Sequence, residues 1–124
     1  MKKPSGRAWL ESMLESAPDA VIVTDALGII RAANPVAEGL LGCKEYELIG
    51  KSIEHGLQLF DYESEEHTPL TFTMALQRRR GGIATIRDSQ RRKLRVEFVS
   101  SPIVDKRSGS TTGMLSVLRK VQEP

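Results

Sequence analysis

The stretch AVIVTDALGIIRAANPVAEGLLG, residues 20–42, holds the first half of the fold. Residues 20–24 are apolar and β-branched on both faces, which reads as a strand covered on both sides. Asp25-Ala-Leu-Gly28 is a turn: Asp at its first position accepts backbone N–H groups, and Gly at its fourth tolerates positive φ. Residues 29–33 return as the second strand of a hairpin. Asn34 then caps a helix whose first residue, Pro35, has no N–H to lose there. Val36, Leu40 and Leu41 give this helix an apolar stripe, and Gly42 ends it. Two strands and a capped helix stand together with no catalytic-looking residue among them.

Upstream, residues 1–6 form a polar leader. Over residues 7–17, Trp9, Leu10, Met13, Leu14 and Ala17 recur at helical spacing opposite Glu11, Ser12 and Glu15, and Pro18 closes the resulting amphipathic helix. Downstream, residues 45–49 read as a further helical turn stopped by Gly50, and residues 53–60 as a short apolar element. Residues 61–67 are an acidic loop. Thr68-Pro69 repeats the cap-then-proline start of a helix with Leu70, Thr73, Met74 and Gln77 along one face. Arg78, Arg79 and Arg80 fall in its last turn, and Gly81-Gly82 closes it. The final third is β, with strands at residues 83–87, 94–104 and 113–121 joined by polar turns at 88–90 and 105–110.

This order of elements (helix, two strands, several short helices, three strands) excludes an alternating βαβ fold. It predicts an α+β domain: one five-stranded antiparallel sheet with the middle helices packed on one face and the N-terminal amphipathic helix flanking it. Between sheet and helices lies an apolar space that side chains fill or a ligand occupies.

The totals fit one globular domain: 124 residues, 40% hydrophobic and 27% charged, with a net charge of +2 too small to imply a nucleic-acid or membrane partner. A single cysteine, Cys43, forms no disulfide within the chain. Met-Lys-Lys is followed by no apolar run, so neither signal peptide nor membrane span is expected, and the location expected is cytoplasmic. No histidine neighbours Cys43 in sequence, and no serine-nucleophile elbow, zinc-protease motif or phosphate loop is present. His55 and His67, with Glu54, Glu65 and Glu66 near them, match no metal-ligand spacing, so no metal site is expected. The basic runs Arg78-Arg79-Arg80 and Arg91-Arg92-Lys93 have hardly an aromatic among them to stack on bases and read as solvated charge, so direct contact with nucleic acid is not expected. No catalytic constellation remains, and an enzyme is not expected. The stripe Trp9, Leu10, Met13 and Leu14 is a candidate dimer interface, since Trp and Met are enriched at interfaces and so short a helix is marginal alone.

The residues Pro18-Asp19-Ala20, Asp25, Gly28, Ala33-Asn34-Pro35, Ala37-Glu38, Leu41-Gly42 and Glu47-Leu48-Ile49-Gly50-Lys51-Ser52 together resemble the N-terminal half of a PAS domain. Pro69-Leu70 and Ala75-Leu76 are similar to the family's long helix. Ser101-Pro102-Ile103, Asp105, Gly109, Gly113 and Val117-Leu118-Arg119 are similar to its last two strands. The resemblance covers about residues 16–121, placing the domain within 18–122, and implies the same five-stranded sheet. It also has departures. Lys120, Val121 and Gln122 stand where the family often has Asp-Ile-Thr, and Asp88-Ser89 where it usually has Asp-Gly. The Asn-Cys-Arg-Phe-Leu-Gln run of the photosensory subgroup is missing.

What the resemblance implies is a sensory and dimerisation module of a bacterial signal transducer, feeding a downstream output domain such as a histidine kinase, a cyclic-di-nucleotide enzyme or a transcription regulator. A homodimer is expected, and a hydrophobic cavity with few polar groups, if one is open, would favour a small apolar or aromatic metabolite over a charged one. Neither heme nor flavin is expected, and no cofactor is required. Candidate lining residues are Ile22, Ala32, Leu41, Leu70, Met74, Ile86, Val96, Phe98 and Met114, each of which serves equally well as core. The alternatives are a ligand-free interaction module and a heme-based gas or redox sensor. An enzyme would need a buried ionisable group in the pocket; Glu97 is the best candidate, and strand alternation turns it outward.

Overall fold

Strand β1 (Ala20–Asp25) is the pivot of the architecture, with β2 (Ile30–Ala33) on one side and β6 (Thr111–Lys120) on the other. The computed structural model describes residues 12–53, 60–61 and 81–121. Expectations for Trp9 and Leu10, for His55, for His67 with the acidic loop, and for the helix carrying Leu70, Met74 and Arg78-Arg79-Arg80 lie outside the described residues. Residues 12–16 are helical (α1), followed by β1, β2, α2 (Pro35–Leu41), α3 (Glu45–Leu48), β3 (Phe60–Asp61), β4 (Gly81–Arg87), β5 (Lys93–Val104) and β6.

The sheet runs β2-β1-β6-β5-β4-β3, and every pair is antiparallel. Its body is the expected set of five strands. β3 adds two residues on the outer edge of β4, pairing Phe60 with Thr85 and Asp61 with Ala84. One expectation is corrected here. β4 starts at Gly81 and Gly82, opposite Val99 and Phe98, two residues before the expected 83, and the helix these glycines are expected to close lies outside the described residues. Glycine's local permissiveness yields to the ladder that the long β5 offers.

The opening turn forms as read. Asp25 Oδ1 accepts the N–H groups of Leu27 and Ile29 at 2.9 and 3.0 Å, and Gly28 adopts φ 83. Asn34 does more than cap α2. Its Oδ1 accepts from Ala37 N at 3.0 Å and from Val21 N at 2.9 Å, while Nδ2 donates to the Asp19 carbonyl at 2.8 Å. One side chain, 2% exposed, thus locks the start of α2 to β1. α2 ends at Gly42 in the left-handed region, φ 71. The buried stripe of α2 is Ala37 and Leu41 with Leu40 beside it, whereas Val36 is 39% exposed. Position N2 simply falls on the solvent side once Asn34 sets the entry angle of the helix.

The free edge of β2 is closed. Ile30 N donates to the Lys51 carbonyl, Gly50 N to the Ile30 carbonyl and Ile53 N to the Gly28 carbonyl, while Glu45 Oε2 accepts from Ala33 N. Such closure removes a template for unwanted strand addition. At the other extreme the β5–β6 hairpin outruns its neighbours. β4 pairs no further than Val99 and β1 no further than Gly113, and residues 101–112 are all exposed. Pro102, lacking an N–H, blunts that unsupported strand.

Candidate functional site

Pairing register sorts the sheet into two faces. Ala20, Ile22 and Thr24 of β1 lie opposite Leu118, Ser116 and Met114 of β6, and Ser116 and Leu118 in turn oppose Ser100 and Phe98 of β5. This inner face, with Ala37 and Leu41 of α2, Leu48 of α3, Ile53 and Ile86, makes the core cluster. Of the candidate lining residues, Ile22, Ile86 and Val96 have no exposure, and Leu41, Met114 and Phe98 are buried. The structure brings these six to one side. Leu70 and Met74 lie outside the described residues.

Ala32 is a correction. It pairs with Val23, whereas Ile22 pairs with Ala33 and Thr24 with Ile30. Arg31 is an extra residue at a β-bulge, so the alternation counted from Ile30 breaks there and Ala32 turns to the other face. It lines a separate groove of about 490 Å³ together with Leu14, Glu15, Val23, Pro35, Glu38, Glu45 and Ile49. Of the candidate interface residues, Leu14 is half-buried in this groove and Met13 is 59% exposed. Glu38 Oε2 accepts from Glu45 N at 2.8 Å, so this groove carboxylate also holds α2 to α3.

Three hydroxyls sit on the inner face, and reading the sequence for apolar lining missed them. Ser100 Oγ and Ser116 Oγ lie 3.0 Å apart, both buried. Thr24 is 2% exposed, and its Oγ1 has no hydrogen-bond partner. Leaving a buried hydroxyl unbonded costs about 1–3 kcal/mol. The available signal was parity: Ser100 follows Val96 and Phe98 at spacing two, as Ser116 precedes Leu118.

The outer face carries Val21, Val23, Leu115, Val117 and Val99 with charged neighbours. Val99 is 56% exposed. Arg119 donates to both oxygens of Asp19, at 3.3 and 3.2 Å, and lies opposite Glu97, which is exposed on this face as alternation required. The Asp19 carboxylate, with Glu97 contributing, raises the Arg119 pKa above its ordinary value. A cleft of about 200 Å³ lies among Asp19, Glu97, Val99, Val117 and Arg119.

Cys43 follows α2, where burial first and the Glu47 carboxylate next push its thiol pKa up, the opposite of what an activated nucleophile needs. Among the described residues no group of His, Cys, Asp or Glu could hold a metal ion, and no helix is long and apolar enough to cross a membrane. Asp88 organises the β4–β5 turn, its Oδ1 accepting from Gln90 N and Arg92 N and its Oδ2 from Arg92 Nε. That turn docks on the end of α2, where Ser89 N donates to the Leu41 carbonyl and Ser89 Oγ to the Gly42 carbonyl, both at 2.8 Å.

Asp25 links the opening turn to acid stability. The Ile29 N–H lowers its pKa most; burial opposes this, and Arg31 and the Leu27 N–H reinforce it. A folded-state pKa below the unfolded one stabilises the protein above the ordinary value of 3.8, and the contribution disappears as pH falls through the folded value. Calorimetric unfolding midpoints are therefore expected to hold between neutral pH and about 5, then drop below about 4. The drop should be shallower in Asp25→Asn. An equal slope in wild type and variant would remove Asp25 from this role.

The PAS fold family model matches residues 9–121. No curated protein sequence matches the chain at a significant level. Several solved structures share the fold. A PAS domain from Colwellia psychrerythraea is 20% identical with a TM-score of 0.72, covering 93% of this chain and 96% of that one. The PAS domain of nitrogen regulation protein NR(II) from Vibrio parahaemolyticus is 24% identical with a TM-score of 0.64, covering 90% and 97%. The PAS domain of BvgS from Bordetella pertussis is 15% identical with a TM-score of 0.65, covering 94% and 86%.

Proposed function

Because the chain belongs to the PAS family, we propose that it is a non-catalytic sensory and dimerisation module of a cytoplasmic bacterial signal transducer. It binds a small, largely apolar or aromatic molecule on the inner face of the sheet and passes the state of that face to an output domain. The solved PAS domains of NR(II) and BvgS, similar in fold, support a signalling context. The observation that carries the reading is the contrast between the two faces of one sheet. The inner face is closed over Ile22, Ile30, Ile86 and Val96, none with any exposure, while the outer face leaves Val99 in solvent beside the Asp19–Arg119 ion pair. That pair joins the entry of β1 to the end of β6, so a shift in the sheet moves both flanks together. A ligand drives such a shift only as far as its affinities for the two arrangements differ.

The outer face receives a second copy of the chain, with Val99 and Val117 at the centre and the ion pair at the rim. Placing a guanidinium at position 99 would bury an unpaired charge in that interface. Sedimentation velocity is expected to find wild type dimeric at micromolar concentration and Val99→Arg monomeric, its dissociation constant raised at least about 30-fold, with far-UV circular dichroism unchanged. A Val99→Arg protein as dimeric as wild type would reject this interface. Native mass spectrometry of the purified protein tests the ligand: added mass lost on denaturation supports it. A ligand-free interaction module is the second reading, favoured by the full burial of the inner-face residues.

A further inference from the structure

We propose that Thr24, with the Ser100–Ser116 pair beside it, is a hydrogen-bonding subsite for the one polar atom of a neutral, otherwise apolar small molecule. The inference rests on the reading of the inner face as a ligand site and narrows the class of ligand. Thr24 faces Met114, while Ser116 faces both Ile22 and Ser100. Thr24 and Ser116 are therefore diagonal neighbours on one face, about 7–8 Å apart along the backbone, within reach of a single bound group.

The hydroxyl inventory sets the polarity. In the Ser100–Ser116 pair one O–H is spent on the other oxygen, at 3.0 Å, which leaves one O–H to give. Thr24 has its own O–H uncommitted. Two donors on one face suit a carbonyl, ether or hydroxyl oxygen. A carboxylate is disfavoured: among the described residues the inner face around the hydroxyls is apolar, with Ile22, Ile30, Phe98, Met114 and Leu118, and offers an anion no counter-charge for the water it would lose.

The ligand-free arrangement makes the subsite a bias as well as a contact. Less than 1 Å² of Thr24 Oγ1 meets solvent, so water does not satisfy it in this arrangement. Valine would fill the same volume without an orphaned hydroxyl. A ligand that parts the covering side chains and reaches Oγ1 gains a bond that the closed state lacks, and that difference favours the liganded arrangement.

The test titrates the full chain with indane, 1-indanone and indane-1-carboxylate, following amide resonances by two-dimensional NMR. The expected result is that 1-indanone binds at least tenfold more tightly than the other two. Thr24→Val should abolish that preference, and Thr24→Ser should keep it. The Thr24→Val protein should melt no lower than wild type, which separates loss of a hydroxyl from loss of the fold. Equal binding of indane and 1-indanone, or a preference that survives Thr24→Val, overturns the subsite and leaves the ligand-site reading standing. Failure of all three probes to bind at millimolar concentration overturns both.

Discussion

Gly113→Ala is expected to lower the midpoint of thermal unfolding by about 10–15 °C, more than alanine at Gly39, Gly42, Gly50 or Gly109. Gly113 pairs with Asp25 where β6 first meets β1. A Cβ there would run into the Thr24 carbonyl oxygen, with the Thr24 carbonyl carbon and the Asp25 Cα close behind it. These are backbone atoms of the central strand, so no side chain can swing aside. β1 and β6 must separate locally, at a cost of about 3 kcal/mol or more. Differential scanning calorimetry checks the value. A melting point within 2 °C of wild type would mean that the two strands part there without penalty.

Asn34→Ala is expected to come second, at about 3 kcal/mol in chemical denaturation. The substitution removes the cap from Ala37 N, the acceptor from Val21 N and the donor from the Asp19 carbonyl. A helix cap alone is worth about 1 kcal/mol, and the buried Val21 N–H adds its own desolvation penalty. Asn34→Asp separates the contributions. It keeps the oxygen that caps α2 and serves Val21 but loses the donor to Asp19, so it should recover more than half of the lost stability. An aspartate variant as unstable as the alanine variant would place the main contribution in the bond to Asp19.

Much of this arrangement was legible beforehand because it is written in local rules. Asp25 and Gly28 define a turn by their own dihedral and hydrogen-bonding preferences, and Asn34-Pro35 marks a helix start whatever surrounds it. What local rules missed depended on partners distant in sequence. Nothing around Arg31 announces a bulge, because the extra residue is set by the register of β2 against β1, and Ala32 changed face as a result. Gly81-Gly82 carries no strand signal of its own, and its place in β4 comes from the ladder that β5 supplies. The hydroxyls of Thr24, Ser100 and Ser116 are unremarkable one by one. They become a group only when β1, β6 and β5 lie side by side, and the candidate site changed character from wholly apolar to apolar with a polar centre.

The position of β1 between β2 and β6 also governs how the chain acquires its structure. Its pairing with β2 closes a short loop and can form early, but its other edge waits for a strand near the far end of the described chain. Long-range closure of that kind is slow, and until it happens the most buried strand has an open side. During synthesis the hairpin and α2 therefore emerge with nothing yet to complete the sheet, and cooperative closure comes only when β6 leaves the ribosome. The sealed edge of β2 leaves the β6 side of β1 as the opening for mispairing in that interval.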